Sequence, residues 1–195
     1  CYKYQQEQIN ELIVARAKSN GHVVRLKGGD PFIFGRGAEE MEYAANYGLE
    51  VAVVPGISSS MAVAASQNIP VTKRGSSESF WVITGTTKDH KISKDIQLAA
   101  KSNATVVVLM GMSKLPQIIK LFQAEGKNNL PVAIIQNGTR PDEKIGIGTV
   151  DTIESVVAEN NLKNPAIILL GEVVNHRQSI QEVQHLYADD LRGLI

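Results

Sequence analysis

The chain has 195 residues, 43% of them apolar, and its 20 basic side chains balance 20 acidic ones. That length builds one full domain or two small lobes with a sizeable core, and a neutral balance argues against general nucleic-acid binding, which calls for a basic surface. One cysteine excludes an intrachain disulfide and fits a reducing cytoplasm, while no apolar run approaches the roughly 18 residues of a membrane span.

The chain opens on Cys1 rather than methionine, and Ile9, Leu12, Ile13 and Ala17 already recur at helical spacing. An opening inside a helix leads us to expect a piece of something longer. The polar, charged first residues are not expected to act as a signal peptide. His22 to Leu26 reads as a strand, broken by Lys27-Gly28-Gly29-Asp30-Pro31. Arg36 to Tyr47 reads as a helix ended by Gly48. Val51 to Val54 reads as a short strand buried on both faces. After the Pro55-Gly56 turn, Ser58 to Ser66 reads as a helix of small residues, and Gln67 to Ser77 as a linker.

Strands are expected at Phe80 to Thr84, Thr105 to Leu109, Val132 to Ile135 and Ala166 to Leu170, with a helix at Lys114 to Ala124. Lys144 to Val150 alternates, with Gly146 and Gly148 on one face, and reads as the exposed strand of a hairpin. Asp151 or Thr152 is placed to cap a following helix, with Glu154 in its first turn. The polar tail from Arg177 to Leu191 reads as helical. Helices alternating with strands give an α/β fold, divided near residues 74 to 79 into lobes of residues 1–75 and 76–195.

The four histidines, His22, His90, His176 and His185, include no pair at helical metal-ligand spacing, so no metal site is expected. There is no G-x-S-x-G elbow, no Walker loop and no G-x-G-x-x-G after a strand. The remaining candidates are turns at strand ends, where open α/β sheets bind ligands. The first is Lys27 to Pro31, whose glycines leave main-chain groups open and whose Asp30 accepts hydrogen bonds. The second is Val54-Pro55-Gly56-Ile57-Ser58-Ser59-Ser60. The third is Met110-Gly111-Met112, where methionine offers an adaptable wall. Each, taken singly, also reads as plain connection. Arg36, Lys73 and Arg74 lie near these turns and suit carboxylates or phosphates. Solvated surface charge, or an Arg36–Glu40 pair on the helix, accounts for Arg36 equally well.

The segment Val24-Arg25-Leu26-Lys27-Gly28-Gly29-Asp30-Pro31-Phe32-Ile33-Phe34-Gly35-Arg36-Gly37 resembles the signature of uroporphyrinogen-III C-methyltransferases, within the tetrapyrrole methylases. Further matches follow in order: Val54-Pro55-Gly56-Ile57-Ser58, Ile69-Pro70-Val71-Thr72-Lys73-Arg74-Gly75, Val82-Ile83-Thr84-Gly85-Thr86, Leu109-Met110-Gly111, Asn137-Gly138-Thr139 and Gly171-Glu172-Val173-Val174. The resemblance runs from about Gln5 to Arg177. Other tetrapyrrole methylases match the first block only in part.

The resemblance implies S-adenosylmethionine-dependent methylation of uroporphyrinogen III at C2 and C7, giving precorrin-2 for sirohaem or cobalamin, with S-adenosylhomocysteine as the second product. It implies a two-lobed α/β fold in a cytoplasmic homodimer, with no nucleic-acid or membrane partner. By motif, Gly28, Gly29, Asp30, Ile33, Ser58, Ser59, Met110 and Gly138 would bind the cofactor. Ser59 departs mildly from the family pattern. Arg36, Glu39 and Arg74 would handle the tetrapyrrole, whose eight carboxylates suit guanidinium forks. The family's proton-transfer Asp and Lys belong to an N-terminal segment not matched here. Neither Lys3 nor Lys27 lies in that motif, so the catalytic residues are unassigned and the N-terminal lobe is expected to be truncated. These residues alone are then expected to be inactive or weakly active. Two alternatives stand beside this reading: another precorrin methyltransferase, and a non-catalytic remnant that dimerises or binds a ligand.

Overall fold

Four apolar segments and one alternating segment, all carrying β-branched residues, assemble one mixed sheet. In chain order they are β1 (Phe80–Thr84), β2 (Thr105–Leu109), β3 (Pro131–Gln136), β4 (Lys144–Thr149) and β5 (Ala166–Leu170). The computed structural model describes residues 4–183. Across the sheet the order is β1-β2-β5-β3-β4. β1 and β2 run parallel, and every other pair is antiparallel. The parallel step needs a crossover, and α4 (Asp95–Lys101) supplies it.

Side chains alternate across the strands, so the sheet buries two faces. Val106, Val108, Val132, Ile134, Ile168 and Leu170 meet Ile96 of α4, Ile118 and Phe122 of α5 (Leu115–Ala124), and Ile153 of α6 (Ile153–Glu159). On the other face Val107, Ala133, Ile135 and Leu169 meet Val63 and Ala64 of α3 (Ser59–Ser66), together with Ile69 and Val173. Burial on both sides explains why β2, β3 and β5 read as unbroken apolar runs.

Contacts divide the chain into two units, one ending at Ser58 and one beginning at Ser59. The sheet and α3 to α6 belong to the second. Its last described helical residues are 176–183. The part of the expected tail helix beyond them, with His185, lies outside the described residues. The first unit holds α1 (Gln6–Asn20) and α2 (Gly37–Asn46). α1 buries Val14, while Leu12, on the expected apolar stripe, is 42% exposed. Gly48 follows α2 at φ 75°, the left-handed stop expected there.

Three expectations need correction. His22 to Leu26 and Val51 to Val54 lie outside any strand of the described residues. An apolar run favours extended backbone, but a strand also needs a partner's N–H and C=O groups in register. Val54, expected to be buried on both sides, is 84% exposed, and Leu26 is 81% exposed. β4 pairs antiparallel with β3 as the expected hairpin strand, but it is not exposed throughout, because the face that carries Gly146 and Gly148 is covered. A Cβ on Gly146 would lie 2.7 Å from Leu162 Cδ1 and 2.9 Å from Val156 Cγ1 of α6. The glycines let α6 lie directly on the strand.

Candidate functional site

In the first unit, the two glycine-bearing turns are joined by one carboxylate. Asp30 Oδ2 accepts the Gly56 N–H at 3.0 Å, and Oδ1 accepts the Phe32 N–H at 2.8 Å. The Asp30 N–H donates in turn to the Ile57 carbonyl at 3.2 Å. Backbones approach so closely here that a Cβ on Gly56 would stand 3.1 Å from Asp30 N, and one on Gly29 equally far from Ile57 O. Gly28 faces open space. The Gly56 N–H, followed by that of Phe32, holds the Asp30 carboxyl below the usual carboxylate range. Each oxygen retains a lone pair for a further donor.

The loop leaves Ile33 44% exposed and ends in two residues of positive φ, Phe34 at 53° and Arg36 at 59°. Arg36 does not pair with Glu40. Its Nε donates to Glu39 Oε2 at 2.9 Å, its Nη2 donates to the same oxygen, and both side chains stay half exposed. That bond raises the Arg36 pKa.

Glu40 turns inward. With Gly37 and Ala44 it forms the buried face of α2. Its Oε2 accepts Lys27 Nζ at 2.9 Å, and its Oε1 accepts Gln6 Nε2 at 3.1 Å and Arg25 Nη2 at 3.3 Å. Lys27 Nζ also donates to the Gly35 carbonyl, so one ammonium staples both ends of the Gly28–Gly35 loop. Burial pushes the Glu40 pKa up, but the bonds from Lys27 and Gln6 outweigh it and the net direction is down. A charge on the buried face of an amphipathic helix is the sequence signal for Glu40 that motif matching passes over. Ser58 is buried in this unit.

In the second unit, Ser59 begins α3 and is exposed. Arg74 is exposed on a tight turn closed by Lys73 and Ser77, whose N–H groups each donate to the other's carbonyl at 2.9 Å. The Ser77 hydroxyl accepts the Thr105 N–H at 3.0 Å, fixing that turn to the start of β2. Met110 follows β2 at φ 54°, is 52% exposed, and its carbonyl accepts Thr86 Oγ1 at 2.9 Å. Gly138 follows β3 between Asn137 (φ 51°) and Thr139 (φ 67°). A Cβ on Gly138 would lie 2.3 Å from Val63 Cγ1 of α3. Met110 and Gly138 thus both follow the carboxyl ends of sheet strands, where such sheets bind ligands.

Among the described residues no cluster of three or more His, Cys, Asp or Glu is placed to hold a metal ion. No described helix is long and apolar enough to cross a membrane.

The profile of the Tetrapyrrole (Corrin/Porphyrin) Methylases matches residues 3–154. The chain belongs to this family. A uroporphyrinogen-III C-methyltransferase of Methanocaldococcus jannaschii is 39% identical over 176 residues, covering 89% of this tetrapyrrole methylase and 73% of the relative. A siroheme synthase of Nitrosomonas europaea is 40% identical over 90% of this chain, which spans 37% of that protein's length. Among solved structures, the uroporphyrin-III C-methyl transferase of Thermus thermophilus, complexed with S-adenyl homocysteine, superposes with a TM-score of 0.76 at 32% identity. That match covers 87% of this chain and 74% of the other.

Proposed function

We propose that this tetrapyrrole methylase transfers methyl groups from S-adenosylmethionine to uroporphyrinogen III, at C2 and C7, to give precorrin-2. The observation that carries the reading is the Asp30 carboxylate. It is held ionised by two main-chain N–H groups and flanked by glycine turns with no side chain over Gly28. That is the donor and acceptor pattern that fits the hydroxyl and ammonium groups of a nucleoside amino acid. The bound cofactor supplies an electrophilic methyl on sulfonium sulfur, so the protein's own task is positioning and proton management.

In this reading Gly28, Gly29, Asp30 and Ile33 hold the cofactor with Ser58, Ser59, Met110 and Gly138. Arg36, Glu39 and Arg74 orient the macrocycle through its carboxylates. Arg36 and Arg74 are both exposed, which suits capture of a polyanion. The same reading makes the protein a cytoplasmic homodimer with neither a nucleic-acid nor a membrane partner. We propose further that these 195 residues alone turn over slowly or not at all. Val24, Leu26, Val54 and Ile57 are 70% to 84% exposed, a state in which apolar strand-like segments call for cover.

The test is transfer of labelled methyl from S-adenosylmethionine to uroporphyrinogen III. It is run with this chain alone, and with the chain joined to the N-terminal residues of the Methanocaldococcus jannaschii relative. The expected result is two methyl groups per macrocycle from the joined protein and little from the chain alone. A joined protein that is folded and binds the macrocycle but leaves it unmethylated overturns the proposal.

A further inference from the structure

We infer that Glu143 is a positioning residue for the Asn137–Thr139 turn, acting with Gln67 and Arg177; the inference rests on the cofactor reading of Gly138. Thr139 has φ 67°. For a β-branched residue that backbone is an outlier, and it persists only where surrounding contacts over-determine it.

The contacts are identifiable. Glu143 Oε2 accepts the Thr139 N–H at 2.6 Å. Glu143 Oε1 accepts the Gln67 side-chain amide, and Gln67 Oε1 accepts Arg177 Nη2 at 3.2 Å. Arg177 Nη1 donates to Gln181 Oε1 at 3.0 Å. The relay joins the residue after α3, the β3–β4 connection and the helical residues 176–183, across sequence separations of 76 and 110. Asp142 grips the other side of the turn, accepting Asn137 Nδ2 at 2.7 Å. Gly138 is meanwhile pressed against Val63. A strained main chain held on three sides is a preorganised one, and preorganisation lowers the ordering cost of binding. The relay also gives Arg177, at the end of the family resemblance, a function.

The test uses Glu143→Ala, Glu143→Gln and Glu143→Ala combined with Thr139→Gly. It has two readouts: amide hydrogen exchange in the ligand-free chain, and calorimetric titration with S-adenosylhomocysteine. Glu143→Ala is expected to speed exchange at Thr139 at least tenfold while Ile134 in β3 stays protected. It is expected to weaken binding at least tenfold. Glu143→Gln keeps an acceptor and recovers most of both. Thr139→Gly in the Glu143→Ala background recovers part of the binding, because glycine needs no anchor at positive φ. General destabilisation would not be rescued that way. A wild-type chain that binds, with Glu143→Ala binding equally well, overturns the inference. A folded wild-type chain that does not bind overturns the cofactor reading instead, and the positioning role falls with it.

Discussion

The Gly56 amide donates to the Asp30 carboxylate across 26 residues of chain, at 3.0 Å. With the Asp30 N–H donating to the Ile57 carbonyl, this bond fixes the distance between the two turns that carry Gly28, Gly29 and Ile57. The Asp30 pKa lies below its ordinary value because the folded backbone, through Gly56 first, stabilises the charged form. The unfolded chain therefore takes up this proton first as pH falls. The stabilisation is fully present above the ordinary value of 3.8 and disappears as pH drops through the lower folded value. We expect the Gly56 amide resonance of the wild type to titrate below 3.8 and that of Asp30→Asn to stay flat. A wild-type midpoint at or above the ordinary value would show the lock to be absent.

Glu40 is 6% exposed and holds Lys27, itself 13% exposed. Removing one partner of a buried pair leaves the other charge uncompensated. Glu40→Ala is expected to cost about 3 kcal/mol in urea unfolding, and Glu40→Gln less, since the amide oxygen still accepts Lys27. The half-exposed Arg25 contact adds little. A loss from Glu40→Ala below about 1 kcal/mol would place the pair in the class of surface bridges.

Gly138 packs directly against Val63 of α3. In Gly138→Ala the new Cβ meets Val63 Cγ1 at 2.3 Å and Cγ2 at 2.6 Å. The expected loss is about 1–3 kcal/mol, typical of overpacking. Val63→Ala removes both methyls and should restore much of it. A double-mutant cycle with no coupling would contradict this packing.

Arg36 separates binding from stability. Its pair with Glu39 is exposed on both sides, so Arg36→Ala should change the unfolding free energy by no more than about 1 kcal/mol. Affinity for a polycarboxylated porphyrin should fall about tenfold or more, and Arg36→Lys should recover little because an ammonium lacks the bidentate fork. Unchanged porphyrin affinity in Arg36→Ala removes Arg36 from the substrate role.

Four strands of the sheet were legible as short apolar runs bounded by turn residues, and β4 by its alternation with Gly146 and Gly148. Phe80–Thr84, Thr105–Leu109 and Ala166–Leu170 have the expected limits. α4 escaped notice because only Ile96, Ala99 and Ala100 of its seven residues are buried, too few to establish a period. Hydropathy marks Val24, Leu26 and Val51 to Val54 as strand-like, but ladder partners are not written in local pattern. The glycine turns and Asp30 were legible as a motif. The pairings of Glu40 and Gln67 were not, because Lys27 lies 13 residues from Glu40, and Glu143 and Arg177 lie 76 and 110 residues from Gln67, so that only the folded chain brings them together.

The most direct test of the central claim is calorimetric titration of this chain with S-adenosylhomocysteine, beside Asp30→Ala. The account predicts one-to-one binding by the wild type, weakened at least tenfold in Asp30→Ala. A well-folded wild type that gives no binding, or an Asp30→Ala variant that binds equally well, would contradict it.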